Sequence, residues 1–323
     1  MRTVLGVWLV AVAALSAAGP QPVPALRTAW GAPDLQGVWS TSTVTPMQRP
    51  REFQGREFLS EQEAAEYARI IVDRRDVDKN RQPGTDWDVT GSHNNHWFDR
   101  GNTYIPTRRT SLIIDPKDGR IPARTPEGQA REAKTIPYSG FQDPRLIDSW
   151  LDRGLWERCI TRGLPGVMLP TVYNNHYQIF QTPDYVVILH EMIHDARVIP
   201  LDNRPHLSAR IRQWMGDSVG HWEGETLVVD IANFSSKTNF YGAEEQLHIV
   251  ERFRRDGPDR LVYQATIDDP STFVQPWTFE LPVMRVTGRI YEYACHEGNV
   301  SMANVLEGSR AKERQAAPAK LRR

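Results

Sequence analysis

Past Pro170 the chain settles into short runs of β-branched, aromatic and aliphatic residues, broken at intervals by Gly, Asp and Pro. Eight runs read as strands: Tyr177 to Phe180, Tyr185 to Leu201, Ser218 to Trp222, Thr226 to Ile231, Leu247 to Arg254, Arg260 to Ile267, Phe273 to Leu281 and Ile290 to Ala294. Glu223-Gly224, Asp256-Gly257 and Asp268-Asp269-Pro270 supply turns between several of them. No long helical period intervenes, which disfavours a parallel sheet with crossover helices. The pattern predicts a mainly β fold, an antiparallel meander closed into a barrel or bent into a strongly curved sheet.

Before Pro170 the pattern is mixed. Ser60-Glu61-Gln62-Glu63 is a capping box, and Ala64, Ala65, Ala68, Ile70 and Ile71 follow it, which predicts a helix over 61–74. Pro126 to Lys134 and Pro144 to Arg158 read as two short helices, and Val300 to Gln315 as a closing C-terminal helix ahead of a disordered tail, 316–323. Thr110 to Asp115 reads as a strand running into an Asp118-Gly119 turn, and the polar stretch from Arg75 to Arg100 as loop. Residues 19–35, rich in Pro and Ala, read as a linker, leaving 36–315 as a single β-rich domain with a helical N-terminal part. At its start, Gly37-Val38-Trp39 resembles the opening of lipocalin-like barrels, where such a tryptophan plugs one end. An ordinary core tryptophan after a turn is the other reading of those residues.

His190-Glu191-Met192-Ile193-His194 spells the H-E-x-x-H pattern of zinc proteases. On a helix its histidines stand about 6 Å apart along the axis and can share one Zn²⁺. On a strand the same spacing spans roughly 13 Å, too far for one ion. The flanks, Tyr185-Val186-Val187-Ile188-Leu189 before and Arg197-Val198-Ile199 after, are strand sequence. A single strand from Val186 to Val198 is therefore expected, with His190 and His194 on one face and Glu191, Asp195 and Arg197 on the other. Arg197 could then pair with Asp195. A zinc site would need a helix here and a third ligand, for which only Glu223 and Glu225, in a turn, are near downstream.

Arg2, the apolar run Val4 to Leu15 and Ser16-Ala17-Ala18 have the three parts of a secretory leader, which predicts a signal peptide over 1–18 and a periplasmic or secreted protein. The run is too short for a membrane span. The 39 basic and 40 acidic side chains give a net charge of −1, and losing Arg2 changes this only slightly, so no nucleic-acid or membrane-surface partner is indicated. In an oxidising compartment Cys159 and Cys295 read as a disulfide; free thiols or a catalytic Cys295-His296 pair are the alternatives. There is no Gly-rich phosphate loop, Gly-x-Ser-x-Gly elbow or Cys-x-x-Cys-His site, so no cofactor is expected. Tryptophan, at 10 residues, is as common as Phe or Tyr, and Trp87, Trp97, Trp150, Trp156, Trp214, Trp222 and Trp277 either line a ligand cavity or pack the core.

Tyr173-Asn174-Asn175-His176-Tyr177, Glu191 to Arg197, Gly216-Asp217-Ser218, Trp222-Glu223-Gly224 and Tyr293-Ala294-Cys295-His296-Glu297-Gly298 resemble a family of exported bacterial proteins with no assigned activity. The resemblance spans nearly all of the mature chain and implies no catalytic residue. From the residues themselves, His176 with Asn174, Asn175 and Tyr177 suits orientation and proton transfer on a polar ligand. Asn94-Asn95-His96-Trp97 repeats that grouping, and His93-x-x-His96 is a weak metal spacing. His296, flanked by Glu292 and Glu297, would be held in place by the cystine, and Trp222 beside His221 and Glu223 could stack on a ring. These features predict a cofactor-independent lyase, hydratase or isomerase acting on a small aromatic, terpenoid or sugar-like molecule in a barrel cavity. Glu191 or His194 would remove a proton, His176 would return one, Arg197 or the asparagines would hold the oxyanion, and His296, held by the cystine, is placed to act as a general base. A non-catalytic ligand-binding barrel and a zinc hydrolase remain the alternatives.

Overall fold

Period-two alternation decides which side chains meet. Leu261, Tyr263, Ala265 and Ile267 are fully buried while their neighbours along the strand are not, and Trp277, Phe279, Leu281 and Val283 are fully buried on the next strand, where Thr278 and Pro282 are buried as well. The computed structural model describes residues 26–76, 79–85, 98–134 and 147–316. Ten strands form one sheet: β1 Gly37–Ser40, β2 Ile113–Asp115, β3 His176–Gln181, β4 Tyr185–His190, β5 Ala196–Pro200, β6 Asp217–Glu223, β7 Thr226–Ala232, β8 His248–Arg255, β9 Arg260–Asp268 and β10 Trp277–Arg285. The helices are α1 Glu61–Arg75, α2 Pro126–Lys134 and α3 Ser301–Ala316.

Two meanders, β3 to β5 and β6 to β10, are joined by β1, which lies between β3 and β10 in the order β5-β4-β3-β1-β10-β9-β8-β7-β6. The short β2 pairs with β10 beyond the end of β1. All pairings are antiparallel, so the fold is a mainly β, nearly closed antiparallel barrel, compatible with a lipocalin-like one.

The number of strands in the ring has a geometric consequence. Direction alternates along an antiparallel path, so an odd number leaves the two end strands pointing the same way. The end strands are β5 and β6, and the ring stops short of a hydrogen-bonded ladder between them. Side chains shut one part of this seam: a methyl group placed on Gly220 of β6 would lie 2.8 Å from Ile199 Cγ2 and 2.9 Å from Leu201 Cδ2. The same alternation sets one rim of the barrel. The starts of β3, β5, β6, β8 and β10 lie there, with the ends of β1, β4, β7 and β9.

Trp39 is fully buried, its indole N–H donates to Leu35 O at 3.0 Å, and the Arg255 guanidinium lies 5.2 Å from its ring. Gly37 opens β1 at φ 139°, a backbone conformation that favours glycine. The segment before it is anchored, because Gln181 accepts from Leu35 N and donates to Pro33 O. The capping box on α1 is present in both directions, Ser60 with Glu63 N and Glu63 with Ser60 N. α3 docks through Ser309 Oγ, which accepts from Ile147 N at 2.9 Å, and through Arg310, which donates to the carbonyls of Ile147 and Asp148. Cys159 and Cys295 form the expected disulfide. No described helix is long and apolar enough to cross a membrane.

Several expectations are corrected. The run from Tyr185 to Leu201 is a hairpin, β4 and β5, whose connection over Met192–His194 is a tight turn with φ 64° at Ile193 and 54° at His194. A β-branched residue rarely adopts that φ. Here Glu191 N donates to His176 O and His190 N to Asp195 O, which turns the chain back on itself. Ile290 to Ala294 is irregular: both edges of β10 are already taken, by β9 on one side and by β1 and β2 on the other. Of the helix expected over Pro144 to Arg158, the described part is a single turn, Trp150–Asp152, and further turns. The last strand begins at Trp277 rather than Phe273, which instead bridges to Arg124. Residues 1–25, His93 to Trp97 and 317–323 lie outside the described residues.

Candidate functional site

The rim that carries the β4–β5 connection holds the first constellation. His176 opens β3, and its Nδ1 lies 3.0 Å from Glu191 Oε2 and 3.7 Å from Asp99 Oδ2. The Glu191 side chain is 4% exposed and that of His176 28%. Tyr291 N donates to the other Glu191 oxygen at 2.9 Å, so the strap that follows β10 fixes the carboxylate. Burial pushes the Glu191 carboxyl up, but the hydrogen bonds from His176 and Tyr291 outweigh it and hold it below the usual range. The hydrogen bond to Glu191 raises His176, against the opposing effect of burial, with Asp99 adding to the rise. An ionised carboxylate only accepts, so Glu191 keeps a proton on Nδ1 and leaves Nε2 as the exchanging nitrogen.

Asn175 supports this geometry from below. Its amide donates to Asp99 O at 2.6 Å and accepts from Thr171 N at 2.6 Å, while its carbonyl takes Thr41 N. Asn174 sits in the turn at φ 56°. His194, half-buried in the hairpin connection, has no side-chain hydrogen bond among the described residues. His296 lies exposed on the strap, one residue past the cystine. Trp222, near the end of β6, is at the opposite rim.

The barrel interior holds a second constellation. Arg197 faces inward from β5 and meets Glu251 of β8 across the lumen, Nη2 to Oε2 at 2.7 Å, with the two side chains 4% and 0% exposed. Glu251 Oε1 accepts from Tyr263 at 2.8 Å. The Arg197–Glu251 contact is an ion pair by distance, but its angles are not those of a hydrogen bond, and Arg197 Nε, Nη1 and Nη2 all donate to no atom. Tyr177 OH and both nitrogens of His190 are likewise buried without a partner, and the two rings stand 6.1 Å apart. Burial, with the Arg197 charge beside it, lowers His190 to about 3, so its imidazole is neutral. Burial and the Glu251 carboxylate raise both tyrosines. Arg197 thus pairs with Glu251, while Asp195 accepts from Thr161 at 2.6 Å.

Sequence reasoning missed Glu251, Tyr263 and Asp99. The signal for Glu251 was present: it occupies an inward period-two position between Ile249 and Phe253. A third group, on the same rim as the first, was also missed. His206 bridges Asp217 (3.0 Å) and Asp230 (2.6 Å), His248 reaches Asp230 at 3.0 Å, and Arg204 pairs with Asp217 at 2.6 Å. Burial opposes it, but Arg204, Leu207 N and His206 bring Asp217 down to about 2. The hydrogen bond from His248, helped by His206, brings Asp230 to about 2.

The H-E-x-x-H residues are dispersed by the hairpin, with His190 facing the lumen, Glu191 meeting His176 and His194 in the connection. The shared helical face that a zinc pair needs is not formed. Neither a protein-family model nor a curated protein matches the chain.

Proposed function

We propose that the protein is an exported, cofactor-independent acid–base enzyme of the lyase, hydratase or isomerase type, with His176 as its proton-transfer group. The observation that carries this reading is the His176–Glu191 pair: a nearly dry carboxylate fixed by the Tyr291 N–H holds one imidazole nitrogen and leaves the other to exchange a proton near neutral pH. Glu191 positions and charges the imidazole rather than meeting the substrate. Asp99 at 3.7 Å adds to the stabilisation of the imidazolium that forms when His176 takes a proton. Export is supported by the leader-like residues 1–18 and by the disulfide, and a small aromatic, terpenoid or sugar-like molecule remains the substrate class.

Such an enzyme exchanges a carbon-bound hydrogen of its substrate with solvent. Wild-type protein incubated in D2O with a panel of sugars, terpenoids and aromatic carbonyl compounds should label at least one of them, as read by mass spectrometry. His176→Gln should abolish labelling, and Glu191→Gln should lower it while shifting the pH profile to lower pH. Equal turnover of a labelled compound by wild type and both variants would remove His176 from the mechanism.

A further inference from the structure

The seam between β5 and β6 is shut by Ile199, Leu201 and Gly220 but opens toward the His176 rim into a cavity of about 530 Å³, lined among others by Thr161, Asp195, Arg197, Trp214, Asp217 and Ser218. That volume is in the ~300–1,000 Å³ range of small-molecule sites. Ser218, one of the lining side chains, is more than nine-tenths buried, and its Oγ has no hydrogen-bond partner. Buried polar groups are ordinarily satisfied, so this hydroxyl points to a polar occupant. The strand edge adds more. The bond from His190 N to Asp195 O fixes the β4–β5 register, with Ile188 opposite Arg197, and so turns the N–H and C=O groups of Ala196 and Val198 away from β4, toward the seam.

The charges around the cavity select the kind of occupant. Arg197 is paired with Glu251, Asp217 with Arg204 and His206, and Asp195 takes the Thr161 hydroxyl. Arg212 donates to the carbonyls of Phe234 and Glu245 and lies 3.7 Å from the Glu245 carboxylate. An anionic ligand would meet no uncommitted cation and would face the Asp195 carboxylate, whose partner is a neutral hydroxyl, at a desolvation cost that nothing offsets. A neutral ligand rich in hydroxyl groups meets a hydroxyl in Ser218, an acceptor in Asp195, and both donors and acceptors along the strand edge. Trp214, half-buried, offers a ring on which the apolar face of a sugar can lie. We propose that the seam cavity binds a neutral, polyhydroxylated ring, a monosaccharide unit or a glycoside. The site is separate from the His176–Glu191 pair and requires no chemistry there.

The test uses full-length protein with its disulfide intact and saturation-transfer NMR against a panel of methyl hexosides and pentosides, with glucuronate and benzoate as anionic controls. At least one neutral glycoside should bind. Its Kd should rise roughly tenfold in Ser218→Ala, which removes a hydrogen-bonding group and little volume, and in Trp214→Ala, while Trp214→Phe retains most of the affinity. His176→Gln should bind as wild type does, which separates this site from the proposed acid–base function. The inference is overturned if no glycoside in the panel binds, if binding is unchanged in both Ser218→Ala and Trp214→Ala, or if the anions bind and the neutral glycosides do not.

Discussion

Replacing Arg197 by Met removes one half of an ion pair that spans the lumen, and the structure sets the size of the effect. At 2.7 Å and an effective dielectric of about 20, the gross attraction between Arg197 and Glu251 is about 6 kcal/mol. Desolvation of two groups this dry offsets most of it, so the pair as a whole contributes little relative to apolar residues of the same shape. Breaking it is different, because Glu251, at 0% exposure, keeps its desolvation cost with only the Tyr263 hydroxyl as partner. Arg197→Met and Glu251→Gln should each therefore lose about 3–5 kcal/mol. The double variant should lose only about 0–2 kcal/mol, since a glutamine oxygen still accepts from Tyr263 and no charge remains buried. Urea unfolding under non-reducing conditions measures all three, and thermal midpoints should fall by about 6–10 °C in the single variants at about 2 °C per kcal/mol. If the double loss equals the sum of the single losses, the two residues are not coupled and the account of the lumen is wrong.

Further outcomes follow from the rim and the strap. His176 is raised by Glu191, so its contribution to stability is complete below the unfolded value of about 6.5 and is lost as pH rises through its folded midpoint; that of Glu191, which is lowered, is present above about 4.5 and is lost as pH falls. The stability difference between wild type and Glu191→Gln should thus be largest between about pH 4.5 and 6.5, and equal differences at pH 5.5 and 8.5 would contradict the linkage. Removing both cysteines releases a loop with a sequence separation of 136 residues, worth about 5 kcal/mol by chain entropy, and should speed hydrogen exchange at Tyr291 N. Unchanged exchange there would show that the strap is held without the cystine. Gly216→Ala should cost about 1–3 kcal/mol by chemical denaturation, because φ is 69° and the new methyl group would lie 2.8 Å from Ile231 Cγ2 and 2.9 Å from Ala232 O.

What the sequence made legible was what alternation and capping encode locally. The meander from Asp217 to Asp268, the helix after Ser60 and the closing helix all stand within a few residues of their expected bounds. The hairpin at His190 was hidden because Ile193, the residue that turns, is a strand-forming type, and the Glu191 N–H at the bend donates to the carbonyl of His176 on another strand. Arg197 was expected beside Asp195 because spacing along one strand says nothing about a partner across a lumen. The pairing of His176 with Glu191 could not be read from a single strand either, since it needs β3 and the hairpin connection to share a rim.

β1 has four residues, yet Trp39 must find Tyr177 on one side and Arg285 on the other. Each meander can assemble from contacts between neighbours in the chain. The strip that joins them cannot be seated until both its flanking edges exist. Seating β1 is therefore a long-range docking step, of the kind that chain topology makes slow. Until it occurs, β3 and β10 present open edges, and the half-assembled protein is at its most prone to pair with a second copy of itself.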